Sequence, residues 1–372
     1  MIIGIPRELK KFEYRVAMTP EGSRQMSQKG HQVLIQSDAG SGSDYSNAAY
    51  QEAGCEIVET AREIFLRADM IIKVTEPIGR EYPMIRENQI IMAFFHFVAN
   101  QQLTRTMLRS KSIAIAFDTI EVSPGNFPVY MPMCAISGKM AIHTGGKYLE
   151  KQNGGNGAFL GNIPGGVAGT VGILGGSVAA IYAAREVAAM GGNVFILENQ
   201  TSNLFQLSQQ VPASVNILPY NDFNLLKVLK QIDLLIGAIQ VPGQKTPHWI
   251  NHEMLQVMKP RSVVVDLAID HGGSLTSSRP TSHEEPSYVV ENILHYCVPN
   301  MPAIVPKIAT PVFADAVLPY ALYVANEGIP TALRNNPALA RGVNMFRGYV
   351  THQGIAETFG LDYSPLEQRL GR

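Results

Sequence analysis

Short apolar segments and amphipathic segments alternate along most of the chain. Segments with the length and composition of strands lie at residues 1–5, 31–36, 70–74, 89–95 and 112–118. Segments with a helical pattern lie between them, at residues 20–29, 46–54, 60–67 and 101–109. Strands that alternate with helices indicate parallel βαβ units, and near-continuous apolar runs such as MIIKV and IIMAFF are typical of strands buried on both faces.

A second series of the same kind follows a different middle segment. Residues 138–150 have a helical pattern and lead into a glycine-rich loop at 151–157. Strand-like segments recur at 171–174, 193–197, 233–237 and 262–269, and after residue 306 the pattern is helical, through 313–325 and on to the C-terminus. We therefore expect two α/β units and a helical tail that folds back onto residues 1–130, which makes the first domain discontinuous.

One uncharged segment, residues 160–184, is long enough to cross a bilayer. It contains seven glycines and a proline at position 164, which favours a buried strand, a glycine turn and a buried helix over a membrane span. The N-terminal sequence MIIGIPRELKKFEYR becomes charged too early for a signal peptide. We expect a cytoplasmic protein without a membrane partner.

Charge and cysteine content exclude several classes of function. The chain has 30 Lys and Arg against 31 Asp and Glu, a net charge of −1, so no basic surface is expected for nucleic acid. Charged residues make up 16% of the chain, against about 25% usually, which favours a surface partly covered by sister subunits. Cys55, Cys134 and Cys297 are odd in number and widely spaced, so neither a disulfide framework nor a metal site is expected.

The strongest local pattern is TVGILGGSVAAIYAAREVAAMGGNVFILEN, which has the strand, glycine turn, helix and strand of a Rossmann unit. Gly175 permits the tight turn, and the amides that open the helix would hold a pyrophosphate. Glu198 lies 23 residues after Gly175, where a carboxylate accepts hydrogen bonds from ribose hydroxyls. It would repel a 2′-phosphate, so NAD is favoured over NADP, although a plain α/β core turn remains open. Ser177 stands at the second glycine position, where its Cβ narrows the approach of a pyrophosphate.

Four polar residues lie near the ends of predicted strands, where ligands of α/β sheets collect. Arg15 offers a guanidinium for a carboxylate, and His96 can exchange a proton near neutral pH. Asp270 can orient or deprotonate a water or an amine, and Lys73 ends the MIIK run. Each has a structural alternative: a surface salt bridge, a core histidine, a turn cap and a snorkelling lysine, respectively.

Longer segments carry a family resemblance that covers essentially the whole chain. They are GIPRELKKFEYRVAMTPEG, KVTEP at 73–77, FHF around His96, PM at 132–133, the Rossmann unit, IGAIQVPGQK at 236–245, VVVDLAIDHGGSLTSSRPTSHEEPSYV at 263–289 and HYCVPNMPAIVP at 295–306. In this order and spacing, the sequence resembles the alanine dehydrogenase/pyridine nucleotide transhydrogenase family. The resemblance implies two Rossmann-like doubly wound domains: a substrate domain of residues 1–128 plus 307–372 and an NAD domain of residues 129–306.

The resemblance also implies an activity, the NAD-dependent reversible oxidative deamination of L-alanine to pyruvate and ammonium, and a homohexamer. It assigns Arg15 to the substrate carboxylate, His96 to acid–base chemistry at the substrate carbonyl or carbinolamine, and Asp270 to activating water or positioning ammonia. Further substrate-binding residues would be Lys73, Thr75 and Asn300. The cofactor-binding residues would be Cys134, Gly175, Gly176, Ser177, Val178, Ala179, Glu198, Ala238, Ile269 and Met301.

Three departures from the family pattern lie in the predicted site. Thr75 stands where the family has a substrate-contacting lysine, and losing such a charge-assisted bond costs about 1.5–3 kcal/mol, or roughly 10- to 150-fold in rate. Lys73, two residues away, would partly substitute. Cys134 and Ala135 replace a serine and a glutamate, and Ser177 replaces a glycine. An active alanine dehydrogenase is the preferred interpretation; a weakly active or non-catalytic nucleotide-binding homologue and a soluble transhydrogenase subunit are the alternatives.

Overall fold

The structure, a computed structural model, describes residues 1–241 and 243–371. These residues form two compact units. The first unit comprises Met1–Met133, Gly243–Gln244 and Pro302–Gly371, and the second comprises Cys134–Val241 and Lys245–Met301. The first unit is therefore discontinuous in sequence, as predicted, and its C-terminal part returns to the N-terminal sheet.

The described residues form strands at the following positions: Ile2–Ile5 (β1), Gln32–Gln36 (β2), Glu56–Val58 (β3), Met70–Thr75 (β4), Ile90–Phe94 (β5), Ile113–Ala116 (β6), Thr170–Leu174 (β7), Asn193–Glu198 (β8), Asn216–Pro219 (β9), Leu234–Gly237 (β10), Val263–Asp266 (β11), Ser287–Val290 (β12), Ile293–Tyr296 (β13), Val343–Phe346 (β14) and Tyr349–Val350 (β15).

The α-helices are Pro20–Gln28 (α1), Asn47–Glu52 (α2), Ala61–Arg67 (α3), Gln101–Ser110 (α4), Met131–Leu149 (α5), Val178–Ala189 (α6), Thr201–Gln210 (α7), Asp222–Leu229 (α8), His252–Leu255 (α9), Pro306–Glu327 (α10), Thr331–Asn335 (α11), Pro337–Gly342 (α12), Gln353–Phe359 (α13) and Leu366–Arg369 (α14). Short 3₁₀ turns lie at Ser41–Ser43, Tyr82–Met84, Phe97–Ala99, Phe117–Thr119, Lys151–Asn153, Ile269–His271 and Met301–Ile304.

The sheet of the first unit has the strand order β15-β14-β6-β5-β4-β1-β2-β3. Strands β1 to β6 are parallel, and β4 and β5 are buried along their whole length. This explains their continuous apolar sequences, because helices cover both faces of a parallel sheet. The direction of winding reverses between β1 and β4, and the carboxyl ends of these two strands therefore border a crevice of the kind in which ligands bind.

The sheet of the second unit has the order β12-β13-β11-β10-β7-β8-β9, and only the edge strand β12 runs antiparallel to its neighbour. The winding reverses between β7 and β10, as in a dinucleotide-binding fold. Helix α6 follows the glycine turn after β7. Ser177 caps its first turn, six of its residues are buried, and Gly191 in a left-handed conformation follows its end.

The C-terminal tail differs from the prediction, because it is not helical throughout. After α12 it forms β14, which pairs antiparallel with β6, and then β15, which pairs antiparallel with β14. These strands are four and two residues long, too short to show a period in the sequence. They extend the N-terminal sheet at one edge, so the tail belongs to the first unit through main-chain hydrogen bonds as well as through α10.

The uncharged segment at 160–184 contributes strand β7, the glycine turn and the start of α6, as expected from its glycines. Among the described helices, α10 has the length and apolar composition that a membrane crossing requires, and half of its most apolar stretch is buried. Length and composition do not separate such a helix from the core helix of a folded domain, and α10 packs residues such as Phe313 and Val317 into the first unit.

Candidate active site

Charged side chains lie on β4 and in the segments that follow β1 and β4, near the carboxyl ends of these two strands. They form a connected set, here called the charge cluster: Glu8, Lys10, Glu13, Arg15, Lys73, Glu76 and Glu81. The set contains four carboxylates and three cations, and it lies where the fold places a ligand. Sequence analysis identified Arg15 and Lys73 in this region but none of their carboxylate partners as functional groups.

Glu8 links the two strands of this crevice. It follows β1, and its Oε1 accepts the Val74 amide at 2.7 Å. Its Oε2 accepts the Thr75 hydroxyl at 2.6 Å. Burial raises the pKa of Glu8, and Lys73 opposes the rise. Thr75 therefore binds a carboxylate at the position where the resemblance predicts a lysine.

Lys73 lies on β4 and is completely buried. Its Nζ is 3.2 Å from Glu8 Oε2 and 3.0 Å from Glu81 Oε1. Burial lowers the pKa of Lys73, but the two carboxylates more than offset this, and the net pKa is raised. The ammonium therefore stays charged between two glutamates. This geometry favours a role in joining the strand ends; a direct contact between Lys73 and substrate stays a prediction.

Arg15 is also buried and pairs with Glu13. Its Nε donates to Glu13 Oε1 at 2.7 Å and its Nη2 donates to Glu13 Oε2 at 2.6 Å, which is the bidentate geometry of an arginine–carboxylate pair. Nη1 lies 3.4 Å from Met133 Sδ. Glu13 thus fixes the plane of the guanidinium, and a substrate carboxylate would meet an arginine whose orientation is already set.

His96 lies just beyond the carboxyl end of β5, with a left-handed φ of 46°. Its ring stacks on Phe94, with 6.1 Å between ring centroids and 15° between planes. Phe94 in turn contacts Phe117 and Phe313 at 5.5 and 5.6 Å. This aromatic packing restricts the imidazole, which is only partly buried. A histidine in a fixed orientation at a strand end suits acid–base chemistry.

The glycine turn of the second unit follows β7 as predicted. Gly175 has φ 88°, and a Cβ there would lie 3.0 Å from the Ala238 carbonyl oxygen. A Cβ on Gly176 would lie 2.8 Å from Glu198 Oε2. Both positions therefore need glycine, the first for its conformation and the second for space. The first amides of α6, at Val178 and Ala179, precede the intrahelical bonds, and donors in this position are suited to binding a phosphate.

Ser177 fits the turn despite the glycine that the fingerprint calls for. Its φ is −67°, which any residue adopts, and its hydroxyl donates to the Ala238 carbonyl at 2.7 Å. The side chain is therefore held against the end of β10. The helix that follows keeps a capped first turn, so the residues present fit a dinucleotide.

Glu198 ends β8, where a ribose-binding acid is expected. Its two oxygens accept the amides of Gly176 at 2.6 Å and Gln200 at 2.7 Å. The carboxylate is thus fixed against the glycine turn. Each carboxylate oxygen can accept a further hydrogen bond, so this arrangement is compatible with ribose hydroxyls.

Asp270 lies in the 3₁₀ turn Ile269–His271 that follows β11. Its Oδ2 accepts the Asn300 amide at 3.3 Å. Asn300 has a left-handed φ of 56° and precedes Met301, which is buried. The second unit therefore brings Asp270 and Asn300 together at the same sheet edge as the glycine turn.

Cys134 and Ala238, two further predicted cofactor residues, are buried in this unit. Arg15, Lys73, Thr75 and His96, by contrast, all belong to the first unit.

Asp266, the last residue of β11, was missed by sequence analysis. It is 1% exposed and its carboxylate accepts hydrogen bonds from Ala268, Ser274 and Ser278. Burial raises its pKa, and these hydrogen bonds oppose the rise. The signal was an aspartate that interrupts an apolar strand, VVVD, directly before the turn with Asp270.

Family models match both parts of the chain. The family model described as the N-terminal domain of alanine dehydrogenase/PNT matches residues 4–137, and the model of the C-terminal domain matches residues 141–353. The alanine dehydrogenase of Methanococcus maripaludis is 41% identical over 371 residues, and alanine dehydrogenase 2 of Staphylococcus aureus is 38% identical over the same length. Both alignments cover 100% of each chain.

Solved structures give the same result. An L-alanine dehydrogenase structure has a TM-score of 0.89 and 35% identity, and the match covers 97% of this chain and 99% of that one. A transhydrogenase from Sinorhizobium meliloti has a TM-score of 0.78 and 19% identity, with 95% and 99% covered, which shows a shared fold. The resemblance inferred from the sequence is thereby confirmed, and the chain belongs to the alanine dehydrogenase/PNT family.

Proposed function

We propose that the protein catalyses the NAD-dependent, reversible oxidative deamination of L-alanine to pyruvate and ammonium. The single observation that carries this proposal is what lies at the carboxyl ends of the strands in the second sheet. There, a glycine turn that needs glycine at positions 175 and 176 lies on the same edge as a loop that presents Asp270. A turn suited to a dinucleotide, together with a carboxylate, fits a reaction in which the substrate loses a hydride and protons. The names of the full-length relatives support alanine as that substrate.

Each predicted residue has a distinct task in this proposal. Bound NAD⁺ would accept the hydride from the substrate Cα. Arg15, oriented by Glu13, binds the substrate carboxylate. His96 exchanges a proton with the substrate oxygen or nitrogen, and Asp270 deprotonates the attacking water or orients ammonia.

The predicted cofactor residues would bind NAD through backbone amides and through the side chains that surround it. The opening amides of α6 bind the pyrophosphate, and Glu198 selects NAD over NADP. Cys134, Ala238, Ile269, Asn300 and Met301 complete the predicted walls of the cofactor site. We propose that the protein works in the cytoplasm as a homohexamer, for which the low charge content is the support.

The test is NADH oxidation by purified full-length protein with pyruvate and ammonium, followed at 340 nm and repeated with NADPH and other keto acids. We expect turnover with pyruvate and NADH, and a loss of about 100-fold or more in His96→Ala. No turnover at millimolar substrate would contradict the proposal.

Thr75 supports one alternative, a weakly active or non-catalytic homologue. It stands where the family has a lysine, and its hydroxyl is bound to Glu8. NADH binding in calorimetry without turnover would favour it. A soluble transhydrogenase subunit is the other alternative, and a stable hexamer in light scattering would count against it.

A further inference from the structure

We propose that Asp266 is a positioning residue that fixes the Asp270 loop against the end of β11; the proposal rests on the function proposed above. Asp266 is not expected to touch substrate or cofactor. Its carboxylate is enclosed by the loop that follows it, and the contacts it makes hold both ends of that loop.

The hydrogen bonds of Asp266 join the beginning and the end of the loop that contains Asp270. Oδ1 accepts the Ala268 amide at 3.0 Å and the Ser274 hydroxyl at 3.1 Å. Oδ2 accepts the Ser274 amide at 2.7 Å and the Ser278 hydroxyl at 2.5 Å. Residues on both sides of Asp270 are therefore bound to one carboxylate. Rotation or displacement of the turn would have to break at least one of these bonds.

The space around this carboxylate is as restricted as its hydrogen bonding. A Cβ on Gly237, its neighbour on β10, would lie 2.5 Å from Asp266 Oδ1. A Cβ on Gly273 would lie 2.9 Å from Oδ2, and Gly273 has a left-handed φ of 86°. Glycine at these two positions lets the loop fold tightly over the carboxylate.

The hydrogen bonds that the described residues give Asp266 come from backbone amides and serine hydroxyls, which are neutral donors. A buried carboxylate held only by neutral donors is costly to form. Such an arrangement is sensitive to the number and direction of its donors, because each donor compensates part of the burial. It is therefore suited to fixing geometry, and less suited to adding stability.

Asp233 provides a matched control. It is also buried and accepts bonds from the Thr170 amide, Asn156 and Lys259. It lies at the opposite, amino-terminal end of β10, away from the edge that carries the glycine turn and Asp270. Asp233→Asn therefore measures the general effect of removing a buried carboxylate from this sheet.

The experiment compares Asp266→Asn with Asp233→Asn in the full chain by two measurements. In the NADH assay, we expect Asp266→Asn to lower kcat about 10- to 100-fold, since small displacements of a reacting group have effects of this size. KM for NADH should change less than about twofold in both variants, and kcat of Asp233→Asn should change by less than about twofold. In hydrogen exchange, the peptide covering 267–274 should lose protection only in Asp266→Asn.

A double variant tests whether Asp266 acts through Asp270. If it does, Asp266→Asn combined with Asp270→Asn should be no slower than Asp270→Asn alone. A combined loss equal to the product of the single losses would overturn the proposal, as would an Asp266→Asn rate equal to that of Asp233→Asn. If Asp266→Asn fails to fold, Ser278→Ala removes one donor, and we expect kcat to fall about threefold to tenfold; a parental rate would overturn the proposal.

The two measurements separate this inference from the proposed function. If the parent protein shows no turnover but the loop loses protection only in Asp266→Asn, the positioning role stands and the dehydrogenase proposal fails. If the parent is active and neither the rate nor the exchange distinguishes Asp266→Asn from its control, the positioning role fails and the dehydrogenase proposal stands.

Discussion

Replacing Thr75 by lysine tests the main departure of this chain from its family. Thr75 donates to Glu8 at 2.6 Å and is almost completely buried. The charge cluster around it contains four carboxylates and three cations, which leaves one negative charge in excess when all are ionised. A lysine at position 75 would make the cluster neutral and would lower the pKa of Glu8.

The magnitude follows from the bond that the lysine would make. A charge-assisted hydrogen bond to the substrate carboxylate contributes about 1.5–3 kcal/mol. If the bond forms in the transition state, kcat/KM for pyruvate rises roughly 10- to 150-fold. The substitution removes the hydrogen bond from the Thr75 hydroxyl to Glu8. The new ammonium can also donate to Glu8, so we expect this loss to have little effect on the rate.

The assay measures NADH oxidation over a range of pyruvate concentrations with ammonium in excess. Thr75→Met is the matched control, since it adds length without charge. We expect Thr75→Lys to raise kcat/KM for pyruvate and Thr75→Met to leave it unchanged or lower it. A Thr75→Lys protein that binds NADH and melts like the parent, yet turns over no faster, would refute the reasoning. Equal gains in both variants would show that volume, and not charge, matters at this position.

Three further predictions concern stability and cofactor binding. Lys73→Met should lower the free energy of unfolding by about 3–5 kcal/mol, because it leaves two buried glutamates without their cation; urea denaturation checks this, and a loss below about 1 kcal/mol would contradict it. Gly175→Ala should weaken NADH binding about tenfold or more in a fluorescence titration, since alanine at φ 88° is strained and its Cβ would meet the carbonyl of Ala238; unchanged affinity would argue against the cradle. Burial lowers the pKa of His295 below its ordinary 6.5, and the hydrogen bond to the Ile293 carbonyl offsets only part of this effect, so the unfolded chain takes up a proton first as the pH falls. Stability should therefore decrease from pH 6.5 down to the lowered pKa, by up to about 1.4 kcal/mol per pH unit, and His295→Gln should remove this dependence in thermal melts.

The elements with strong periodicity could be predicted from sequence, and the short ones could not. Strands such as β4 and β7 and helix α6 appear within a few residues of their predicted positions. The strands β3, β9, β12 and β13 and the helices α7 and α8 were not predicted, and β14 and β15 were expected to be helical. All of these strands have four residues or fewer, and those at the sheet edges form because a neighbouring strand has backbone N–H and C=O groups without a partner. Whether such a neighbouring strand is present depends on tertiary structure, which leaves no pattern in the local sequence.

The candidate site shows the same division. Residues at strand ends, such as His96 and Asp270, were predicted because a strand end in an α/β sheet indicates a ligand-facing position. The partners of the buried cations were not predicted. Glu8 and Glu81 reach Lys73 from segments 65 and 8 residues away, and charge alone does not say which acid pairs with which base. Ser177 departs from the glycine fingerprint, and the sequence could not show that its hydroxyl donates to the carbonyl of Ala238.

The two sheets carry different residues at equivalent positions, where the strand order reverses. In each sheet the winding reverses beside the first strand, β1 in one and β7 in the other. After β7 comes a glycine turn without charged side chains, followed by the opening amides of α6, which suit the anionic cofactor that we propose. After β1 comes Glu8, and the facing strand carries Lys73 and Thr75, so that crevice is lined by paired charges suited to a small zwitterion. We therefore expect one ligand position in each unit, with side-chain volume and charge at the strand ends determining which ligand it accepts. We therefore expect substitutions of Thr75 and Asp266, one in each unit, to change activity.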